Sequence, residues 1–600
     1  MKILSLYTHY PSSASIIIDN KIIAATHEER FTRVKNEIVF PEKSIEFCLK
    51  KAKIKSTELD YVALASFISP FDDTITRKNK WTVQDYLKEQ NKIWKPYLVD
   101  KKHKFKKSPI EIFPEKIDFK MYPQNYWRNN YKKKNIQKKY LNDRVEIVAN
   151  YLKIPKSKVI RLDHHTCHAF YSYFISPFKN KKVLSLTVDG YGDGLNSTIG
   201  MFDKKGNYKR VYKTNLCAIA RIYRYMTLLL GMKPNEHEYK LMGLAPYGKK
   251  KYATKALNVF RSTLQVKGTK FVWKVKPTDS YFWFKERLEG ERFDNIAWAV
   301  QTWVEELLTK WVKNCIIKFK ISNVTLSGGV ALNIKAMGKI AKLKEVKNLF
   351  VGGSASDETM ALSAGIFLLH NLNKKKGNDF GFKKFPQIPN LYLGPDNEYR
   401  QEKIYVKKLS SKKFSIYKKF SNKLIAKHLS KGKIIARCAG RMEFGQRALG
   451  NRSILADPRY LHIKEKINAA IKNRDFWMPF APVILKKFSK QYLINPKNLD
   501  SPHMTIGFDT SKLGYQKMCA ACHPADKTAR AQILEKKDNK KLYNLIEEFY
   551  KITGTGALLN TSFNLHGYPI VNTVKDAIYV FKNSELDGLL LNNFFILKNK

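Results

Sequence analysis

Two stretches of the chain follow the same order of strands and turns, about 180 residues apart. The first reads KILSLYTHYPSSASIIIDNKIIAATHEERF from residue 2, and the second reads KVLSLTVDGYGDGLNSTIGMFDKKGNYKRVYK from residue 182. In each stretch an apolar strand is followed by a turn, a second strand, a polar turn and a third strand, which is the pattern of antiparallel hairpins. A repeat of this kind predicts a domain built from two related α/β halves.

Duplicated α/β halves whose sheets open with hairpins are typical of actin-like ATPases, so we predict an actin-like fold. The segment VTLSGGVALNIKAMGKI places Gly328 and Gly329 between a strand and a helix. Glycines there allow backbone N–H groups and the helix N-terminus to approach an anion closely. The segment therefore predicts a nucleotide site, although it matches neither a Walker nor a Rossmann fingerprint.

The length of 600 residues exceeds what one hydrophobic core accommodates, so we expect at least two domains. The stretch HNLNKKKGNDFGFKKFPQIPNLYLGP combines charge, glycine and proline without a sustained period, as linkers do. We place the domain boundary within it and predict domains at 1–380 and 381–600. Within the first domain, about 70–145 forms an insertion.

The insertion interleaves Lys and Arg with Trp and Tyr, as in WTVQDYLKEQNKIWKPYLVDKKHKFKKSP. Such interleaving suits stacking on nucleic acid or on sugars, and a solvated helical insertion is the alternative. We expect Trp81, Trp94 and Trp127 to offer flat faces to a sugar.

The formal net charge of +58 comes almost entirely from lysines spread over the whole length. Two interpretations stay open: anionic partners, or the codon usage of a low-GC genome. No apolar run approaches the roughly 18 residues of a membrane span. The N-terminal residues lack the apolar core of a signal peptide, so we expect a cytoplasmic protein.

Three of the 13 histidines fall within five residues, in the stretch RLDHHTCHAF. On a helix, His164 and His168 would share one face and reach a common metal ion, whereas His165 would point elsewhere. Two histidines do not complete a metal site, so carboxylates from distant sequence are needed. Asp189 and Asp357 are candidates, and a turn residue and a helix cap are their ordinary alternatives.

The C-terminal third is rich in residues that bind anions. The stretch CAGRMEFGQRALGNRSILADPR contains four arginines, counting that of its Gly-Arg step, and further cations occur in KNRDFWMPFAPVIL and HPADKTARAQ. Arginine forks match the oxygens of phosphate and carboxylate. The polar end of ALLNTSFNLHGYPIV suits a neutral amide or carbonyl. We predict an oxyanion site here, with a salt-bridged surface as the alternative.

Along nearly its whole length the sequence resembles the O-carbamoyltransferases of the nodulation-factor, cephamycin and tobramycin type. The resemblance lies in ATHEERFTRVKN, DHHTCHA, KPNEHEYKLMGLAPYG, LSGGVALN, GRMEFGQRALGNRSILADPR and LLNTSFNLHGYPIV. Together these motifs are specific, although no single one would suffice. The resemblance implies an actin-like (ASKHA) N-terminal domain that carries a metal, similar to the universal tRNA threonylcarbamoyl transferase subunit. It also implies an α/β C-terminal domain similar to threonylcarbamoyl-adenylate synthase.

The implied activity is ATP-dependent transfer of the carbamoyl group of carbamoyl phosphate, through carbamoyl-adenylate, to a hydroxyl of a sugar or glycan-type acceptor. An enzyme that forms threonylcarbamoyl-adenosine in tRNA is the alternative. The implied cofactors are ATP with Mg²⁺ and a divalent metal, iron or zinc, in the N-terminal domain. The implied partners are carbamoyl phosphate, ATP and the acceptor, without nucleic acid, and a homodimer is compatible with the pattern.

The resemblance also assigns residues. The metal ligands fall on His164, His168, Asp189 and Asp357. The contacts to carbamoyl phosphate and ATP, which form the catalytic set, fall on Arg447, Lys472, Arg474, Arg530, Asn560 and Ser562. The nucleotide contacts of the first domain fall on Lys240, Gly243, Gly328, Gly329 and Asn333.

Three positions depart from the family pattern. Met478 replaces the arginine that usually precedes PFAP, and Gln446 replaces a proline. Tyr10-Pro11 stands where the family has His-Asp, with His9 one residue earlier. The departures concern one phosphate contact and the histidine that would accept the acceptor's proton.

Overall fold

The structure is a computed structural model that describes residues 1–102, 106–118, 136–178, 180–375 and 390–599. The chain divides into two compact units. The first comprises Met1–Ile23 and Asn36–Pro386, and the second comprises Ala24–Lys35 and Gln387–Lys600. A short segment near the N-terminus thus belongs to the same unit as the C-terminal part of the chain. The predicted division into 1–380 and 381–600 does not include this segment in the second domain.

The first half of the first unit is built on a five-stranded sheet of order β3-β2-β1-β4-β5. Strand β1 pairs antiparallel with β2 and parallel with β4, which pairs parallel with β5. In chain order the elements of this part are β1 (Lys2–Tyr7), β2 (Ser13–Ile18), β3 (Lys21–His27), α1 (Glu29–Thr32), α2 (Glu42–Ala52), β4 (Tyr61–Ala65), α3 (Phe71–Ile75), α4 (Val83–Glu89), α5 (Pro109–Ile112), α6 (Ile136–Leu152), β5 (Val159–Leu162) and α7 (His164–Phe174). Of these, α1 lies within Ala24–Lys35, the segment that belongs to the second unit.

The second half repeats this arrangement in a sheet of order β12-β11-β6-β7-β8. The elements are β6 (Val183–Gly192), β7 (Leu195–Phe202), β8 (Tyr208–Thr214), α8 (Ile219–Leu229), α9 (Glu238–Leu244), α10 (Lys250–Arg261), β9 (Leu264–Lys267), β10 (Lys270–Trp273), α11 (Phe282–Arg287), α12 (Phe293–Phe319), β11 (Asn323–Ser327), α13 (Ile334–Lys342), β12 (Asn348–Val351) and α14 (Met360–Lys375). Strands β9 and β10 form a separate hairpin.

The two sheets share one topology. If β6, β7, β8, β11 and β12 are counted as first to fifth, their order is 3-2-1-4-5, as in the first sheet, with parallel and antiparallel pairs in the same places. Helix α14 packs on β1, β2 and β4, and α7 packs on β6 and β11. Strands β1 and β11 are buried along nearly their whole length. The fold is a duplicated, actin-like α/β fold, which confirms the prediction from the repeated strand pattern.

The insertion between β4 and β5 is helical in its described parts. Besides α3 to α6 it contains 3-10 helices at Lys78–Lys80 and Pro114–Lys116 and a π-helix at Gln90–Val99. Other 3-10 helices of the first unit are Ser56–Glu58, Lys156–Lys158, Ala245–Tyr247, Gly329–Leu332 and Asp357–Thr359.

Trp81 does not offer a face to a sugar, which corrects the sequence-based expectation. Its side chain is 1% exposed and packs against Tyr86 and Phe113, and its Nε1 donates to the carbonyl of Thr76 at 3.0 Å. Trp81, Tyr86 and Phe113 thus form a small core. Trp94 is half-buried, so the stacking hypothesis remains a prediction for it, and Trp127 lies outside the described residues.

Replacing Trp81 with alanine is therefore expected to destabilise the first unit by about 3–5 kcal/mol, as other large truncations in cores do. The measurement is the free energy of unfolding in denaturant. Trp94→Ala serves as the comparison and should lose clearly less. Equal losses in the two variants would contradict the burial argument.

The second unit contains an eight-stranded mixed sheet of order β13-β22-β21-β14-β15-β20-β16-β19. Its elements are α15 (Tyr399–Lys407), β13 (Phe414–Tyr417), α16 (Asn422–Ser430), β14 (Ile435–Cys438), β15 (Arg452–Ala456), α17 (His462–Ile467), β16 (Ala481–Leu485), α18 (Lys486–Tyr492), β17 (Leu493–Ile494), β18 (Asp509–Thr510), α19 (Lys512–Met518), β19 (Gln532–Leu534), α20 (Lys540–Thr553), β20 (Ala557–Ser562), α21 (Val574–Lys582), β21 (Gly588–Leu590) and β22 (Phe595–Lys598). A π-helix (Asn468–Lys472) and a 3-10 helix (Cys519–Ala521) complete it.

Pairing within this sheet brings the polar ends of two strands together. Strands β15 and β20 are antiparallel, with Ser453 opposite Ser562. The loop that precedes β15 therefore lies at the carboxyl end of β20, beside the polar residues that end that strand. Among the helices of the described ranges, none combines the length and the apolar character needed to cross a bilayer.

Candidate functional site

Helix α7 begins at the histidine cluster, as the sequence predicts. Asp163 caps it by accepting the N–H of Thr166 at 2.8 Å. The rings of His164 and His168 lie on one face with their centroids 4.7 Å apart. His165 points away, and its Nδ1 lies 2.8 Å from the hydroxyl of Thr187.

Two aspartates from distant sequence complete the group. Asp189 lies on β6, and Asp357 opens the 3-10 helix that precedes α14. One ligand atom from each of His164, His168, Asp189 and Asp357 lies within 4.8 Å of all the others. His164 Nε2 is 3.1 Å from Asp189 Oδ2 and 3.5 Å from Asp357 Oδ1, and His168 Nε2 is 3.3 Å from Asp357 Oδ1.

These side chains fit a divalent cation. His168 is fully buried, yet among the described residues neither of its ring nitrogens makes a hydrogen bond, and neither does Asp357 Oδ1, although His168 Nε2 lies 3.3 Å from that oxygen. Buried polar atoms left unsatisfied are costly, and a cation among them would be their partner. Ligands at about 2.1 Å from a tetrahedral metal are separated by about 3.4 Å, which is close to the observed spacing. Imidazole and carboxylate together suit zinc, iron or manganese.

The electrostatics of the cluster also favour positive charge. Burial alone would lower the pKa of His164, but the carboxylates of Asp357 and Asp189 raise it to about 9. Burial would raise the pKa of Asp189, but the hydrogen bond with His164 and the charge of His168 hold it below its usual range. His165, outside the cluster, has its pKa lowered to about 3 by burial and by His164.

Three contacts orient the ligands from behind. Ser66 Oγ lies 2.9 Å from His164 Nδ1, Tyr7 donates its hydroxyl to Asp357 Oδ2 at 2.8 Å, and the N–H of Gly329 donates to Asp189 Oδ1 at 2.6 Å. Such partners fix the tautomer and direction of metal ligands. Sequence reasoning missed Tyr7 and Ser66. Their positions in the predicted strands could have identified them. Tyr7 ends β1 and Ser66 directly follows β4, so both lie at the same edge of the first sheet.

Replacing Tyr7 with phenylalanine should weaken metal binding about 10–100-fold, as the loss of other supporting hydrogen bonds does. The ring is retained and only the hydroxyl that holds Asp357 is lost. Titration of the metal-free protein with Zn²⁺ or Fe²⁺ measures the effect. Tyr223→Phe is the control, since its buried hydroxyl donates to Gln301 Oε1 at 3.0 Å and not to any of the four ligands. Equal metal affinity in both variants would show that the Tyr7 contact is unimportant.

The residues predicted to bind nucleotide lie at three places in the first unit: a glycine turn, a helix N-terminus and a helix. Gly328 has φ +92°, and a Cβ there would lie 2.3 Å from the carbonyl oxygen of Val188, so only glycine fits. A Cβ on Gly329 would lie 3.0 Å from Asp189 Oδ1, so this glycine step adjoins the four-ligand cluster.

The remaining nucleotide candidates are on helices or at their ends. Asn333 caps α13 through the N–H of Ala336 and exchanges side-chain hydrogen bonds with Gln301 at 2.9 and 3.0 Å. Its amide is thus already used within the protein. Lys240 and Gly243 lie on α9, which packs on α12.

His9 follows β1 in the first unit. Its Nδ1 lies 3.4 Å from the hydroxyl of Thr74. Burial lowers its pKa to about 4, although Asp73 and Asp357 act in the opposite direction. A histidine in this state is neutral at ordinary pH, which is the form that accepts a proton. The peptide bond between Tyr10 and Pro11 is cis.

In the second unit, cations gather at the carboxyl end of β20. Lys472 donates to the carbonyl of Ser562 and to Asn564 Oδ1, the latter at 2.8 Å. Arg474 donates to Thr561 Oγ1 at 3.2 Å. Ser562 itself donates to Asn564 Oδ1 at 2.6 Å.

The positive charges of this group act on one another. Burial lowers the pKa of Lys472 well below its usual value, and the charges of Arg474 and Lys35 lower it further. Burial and the charges of Arg447 and Arg474 do the same to the pKa of Arg530. In the described ranges, neither Lys472 nor Arg530 has a carboxylate within ion-pair distance. We call Arg447, Lys472, Arg474 and Arg530 the cation cluster; such a cluster favours an anionic ligand.

Asn560 lies beside this cluster on β20. Its Nδ2 donates to the carbonyl of Ala448 at 3.1 Å and to Gln532 Oε1 at 3.3 Å. Its Oδ1 is buried and has no hydrogen-bond partner among the described residues. The strand therefore holds an unused acceptor two residues before Ser562, to which Lys472 donates.

Two further residues bear on the cluster. Met478, which departs from the family pattern, is 6% exposed and follows the turn closed by its N–H to the carbonyl of Asp475 at 3.0 Å. Sequence reasoning missed Lys35, whose charge reaches Lys472. It belongs to the segment 24–35 of the second unit, more than 400 residues from its neighbours in the site.

Comparisons with known proteins agree with these features. Residues 2–366 match the family model described as carbamoyltransferase N-terminus, and residues 426–598 match that described as carbamoyltransferase C-terminus. The chain is 31% identical to the uncharacterized protein MJ1058 of Methanocaldococcus jannaschii over 99% of each chain. It is 26% identical to nodulation protein NolNO of Sinorhizobium fredii, covering 98% of this chain and 79% of that protein. It is 24% identical to a 3'-hydroxymethylcephem-O-carbamoyltransferase of Streptomyces clavuligerus, covering 45% of this chain and 47% of that protein.

Proposed function

The chain belongs to the carbamoyltransferase family, and we propose that it uses ATP and carbamoyl phosphate to place a carbamoyl group on a hydroxyl of a sugar or glycan-type acceptor. Carbamoyl-adenylate is the intermediate. The two units divide the work: the second forms the adenylate, and the first transfers its carbamoyl group.

The observation that carries the proposal is the cation cluster together with the unused acceptor of Asn560. Among the described residues, Lys472 and Arg530 have no carboxylate within ion-pair distance, and the acceptors of Lys472 are neutral oxygens of Ser562 and Asn564. Phosphate oxygens would supply the negative charge that these cations lack. The buried Oδ1 of Asn560 matches the N–H₂ group of a carbamoyl moiety, which a bare phosphate lacks. Carbamoyl phosphate is a ligand that contains both groups, a phosphate and a carbamoyl N–H₂.

In the first reaction, carbamoyl phosphate, ATP and water yield carbamoyl-adenylate, pyrophosphate and phosphate. Negative charge builds on phosphate oxygens as the bonds form and break. The cation cluster, already in place before the reaction, stabilises that charge. Asn560 and Ser562 hold the carbamoyl group against it.

In the second reaction, the acceptor hydroxyl attacks the carbamoyl carbon, the bond to the adenylate phosphate breaks, and AMP leaves. The four-ligand cluster would hold the divalent metal, which as a Lewis acid would polarise an oxygen without a redox change. His9 is the candidate to take the hydroxyl proton, because it is neutral and lies in the same unit. Gly328 and Gly329 carry no side chain and so leave room for the adenylate beside Asp189, although their own N–H groups already donate to Ala355 and Asp189.

The test is pyrophosphate release from ATP by the purified protein. We expect release that depends on carbamoyl phosphate and not on threonine with bicarbonate. Release with threonine and bicarbonate alone would instead favour the tRNA-modifying alternative, which the charge of +58 would suit. Mass spectrometry of cell-surface glycans with and without the protein then identifies the acceptor through the added carbamoyl group.

A further inference from the structure

The loop that carries Arg447 is folded around a buried carboxylate. Glu443 is 3% exposed. Its Oε1 accepts three backbone N–H groups, those of Leu449 at 2.8 Å, Asn451 at 2.7 Å and Arg452 at 3.2 Å. Three donors on one oxygen fix the course of the chain on the C-terminal side of Arg447.

The carbonyl groups of the same loop accept hydrogen bonds from side chains outside the loop. Asn560 donates to Ala448, Gln532 and Tyr392 donate to Leu449, and Arg437 donates to Gly450. The backbone of 448–452 is therefore bound on both its N–H and its C=O sides. Arg447 precedes this segment directly, so its Cα has little freedom.

Glu443 forms no ion pair with any described residue. Within the described ranges, no lysine, arginine or histidine lies within ion-pair distance of it, and its Oε2 is buried without a hydrogen-bond partner. Burying a carboxylate is unfavourable unless hydrogen bonds compensate. Here the three loop N–H groups supply the hydrogen bonds, and the positive charge of buried Arg437 acts on Glu443 without a direct contact. The carboxylate and the loop conformation therefore depend on each other.

We propose that Glu443 is the positioning residue that sets Arg447 for the phosphate group of carbamoyl phosphate. The inference rests on the proposed function, because that function makes Arg447 a phosphate contact. Glu443 does not touch the substrate; it acts through the loop. A glutamine has the same shape but offers a neutral oxygen to the three N–H groups, and hydrogen bonds to neutral acceptors are weaker.

The experiment measures KM for carbamoyl phosphate in the pyrophosphate-release assay with Glu443→Gln, Arg447→Ala and the double variant. We expect Glu443→Gln to raise this KM roughly tenfold, about the effect of weakening hydrogen bonds to a charged group. In the Arg447→Ala background the same substitution should have almost no further effect, because the group that it positions is gone. Should Glu443→Gln fail to fold, Glu443→Asp, which keeps the charge but shortens the reach, replaces it with the same expectation.

Asp279 provides the matched control. It is 8% exposed and also accepts three backbone N–H groups, those of Tyr281, Phe282 and Trp283, but it lies in the first unit. Asp279→Asn should lower the melting temperature and leave KM for carbamoyl phosphate unchanged.

The outcomes separate the two proposals. If Glu443→Gln multiplies KM equally with and without Arg447, or leaves it unchanged while Arg447→Ala raises it, the positioning role is overturned and the proposed function stands. If the unmodified protein releases no pyrophosphate with carbamoyl phosphate, the proposed function itself fails.

Discussion

His168→Ala is expected to lose bound metal and carbamoyl transfer together, while carbamoyl-phosphate-dependent pyrophosphate release continues. The side chain is fully buried, and its Nε2 is one of four atoms that converge within 4.8 Å. The affinity for metal should fall by well over the roughly 10–100-fold that a supporting contact is worth. His164→Ala and Asp357→Ala should behave alike. Metal content by mass spectrometry and the two half-reactions, each assayed separately, provide the measurement.

His165→Ala is the control for this prediction. It is buried like His168 and adjacent to His164 in sequence, but its Nδ1 lies against the hydroxyl of Thr187 and it contributes no atom to the group of four ligands. It should keep its metal. Loss of metal from His165→Ala as complete as that from His164→Ala would mean that burial of the helix, not ligation, explains the result.

Lys472→Ala should have the opposite effect. Removing its buried ammonium group is expected to slow pyrophosphate release about 10²–10³-fold, as the loss of other preorganised groups at developing charge does. Transfer from supplied carbamoyl-adenylate should continue, because that reaction uses the first unit. Steady-state kinetics of each half-reaction measures the separation.

Lys466→Ala is the matched control, since Lys466 lies nearby in sequence but pairs with Asp587. It should leave both half-reactions unchanged. A folded, metal-loaded Lys472→Ala that cannot use supplied carbamoyl-adenylate would contradict the division of labour, and one shared active site would be the better description.

The sequence predicted the first unit well because its signals are local. The repeated strand-turn-strand pattern is a property of short segments, and it gave the duplicated sheets correctly. The spacing of His164 and His168 predicted a shared helix face from four residues alone. That Asp189 and Asp357 meet these histidines depends on long-range contacts; the sequence offered the two aspartates only as candidates, and the family resemblance assigned them as ligands.

The parts that sequence reasoning missed depend on tertiary contacts. Trp81 and its neighbours have the composition of a stacking surface, but the composition does not say whether an aromatic ring faces solvent or Phe113. Tyr7 carries no motif of its own, and its role appears only where the end of β1 meets Asp357. Lys35 likewise needs the fold to bring it to Lys472.

Because residues 24–35 belong to the second unit, the two units cannot be separated by one cut in the chain. Arg30 donates to the carbonyl of Gly445, and Arg33 donates to the carbonyls of Pro569 and Ile570. A fragment expressed from residue 387 onward would lack these three contacts and the charge of Lys35. A chimera of two related proteins joined at the linker would likewise combine residues 24–35 of one protein with the eight-stranded sheet of the other. Swaps that move residues 24–35 together with the C-terminal segment keep these partners matched.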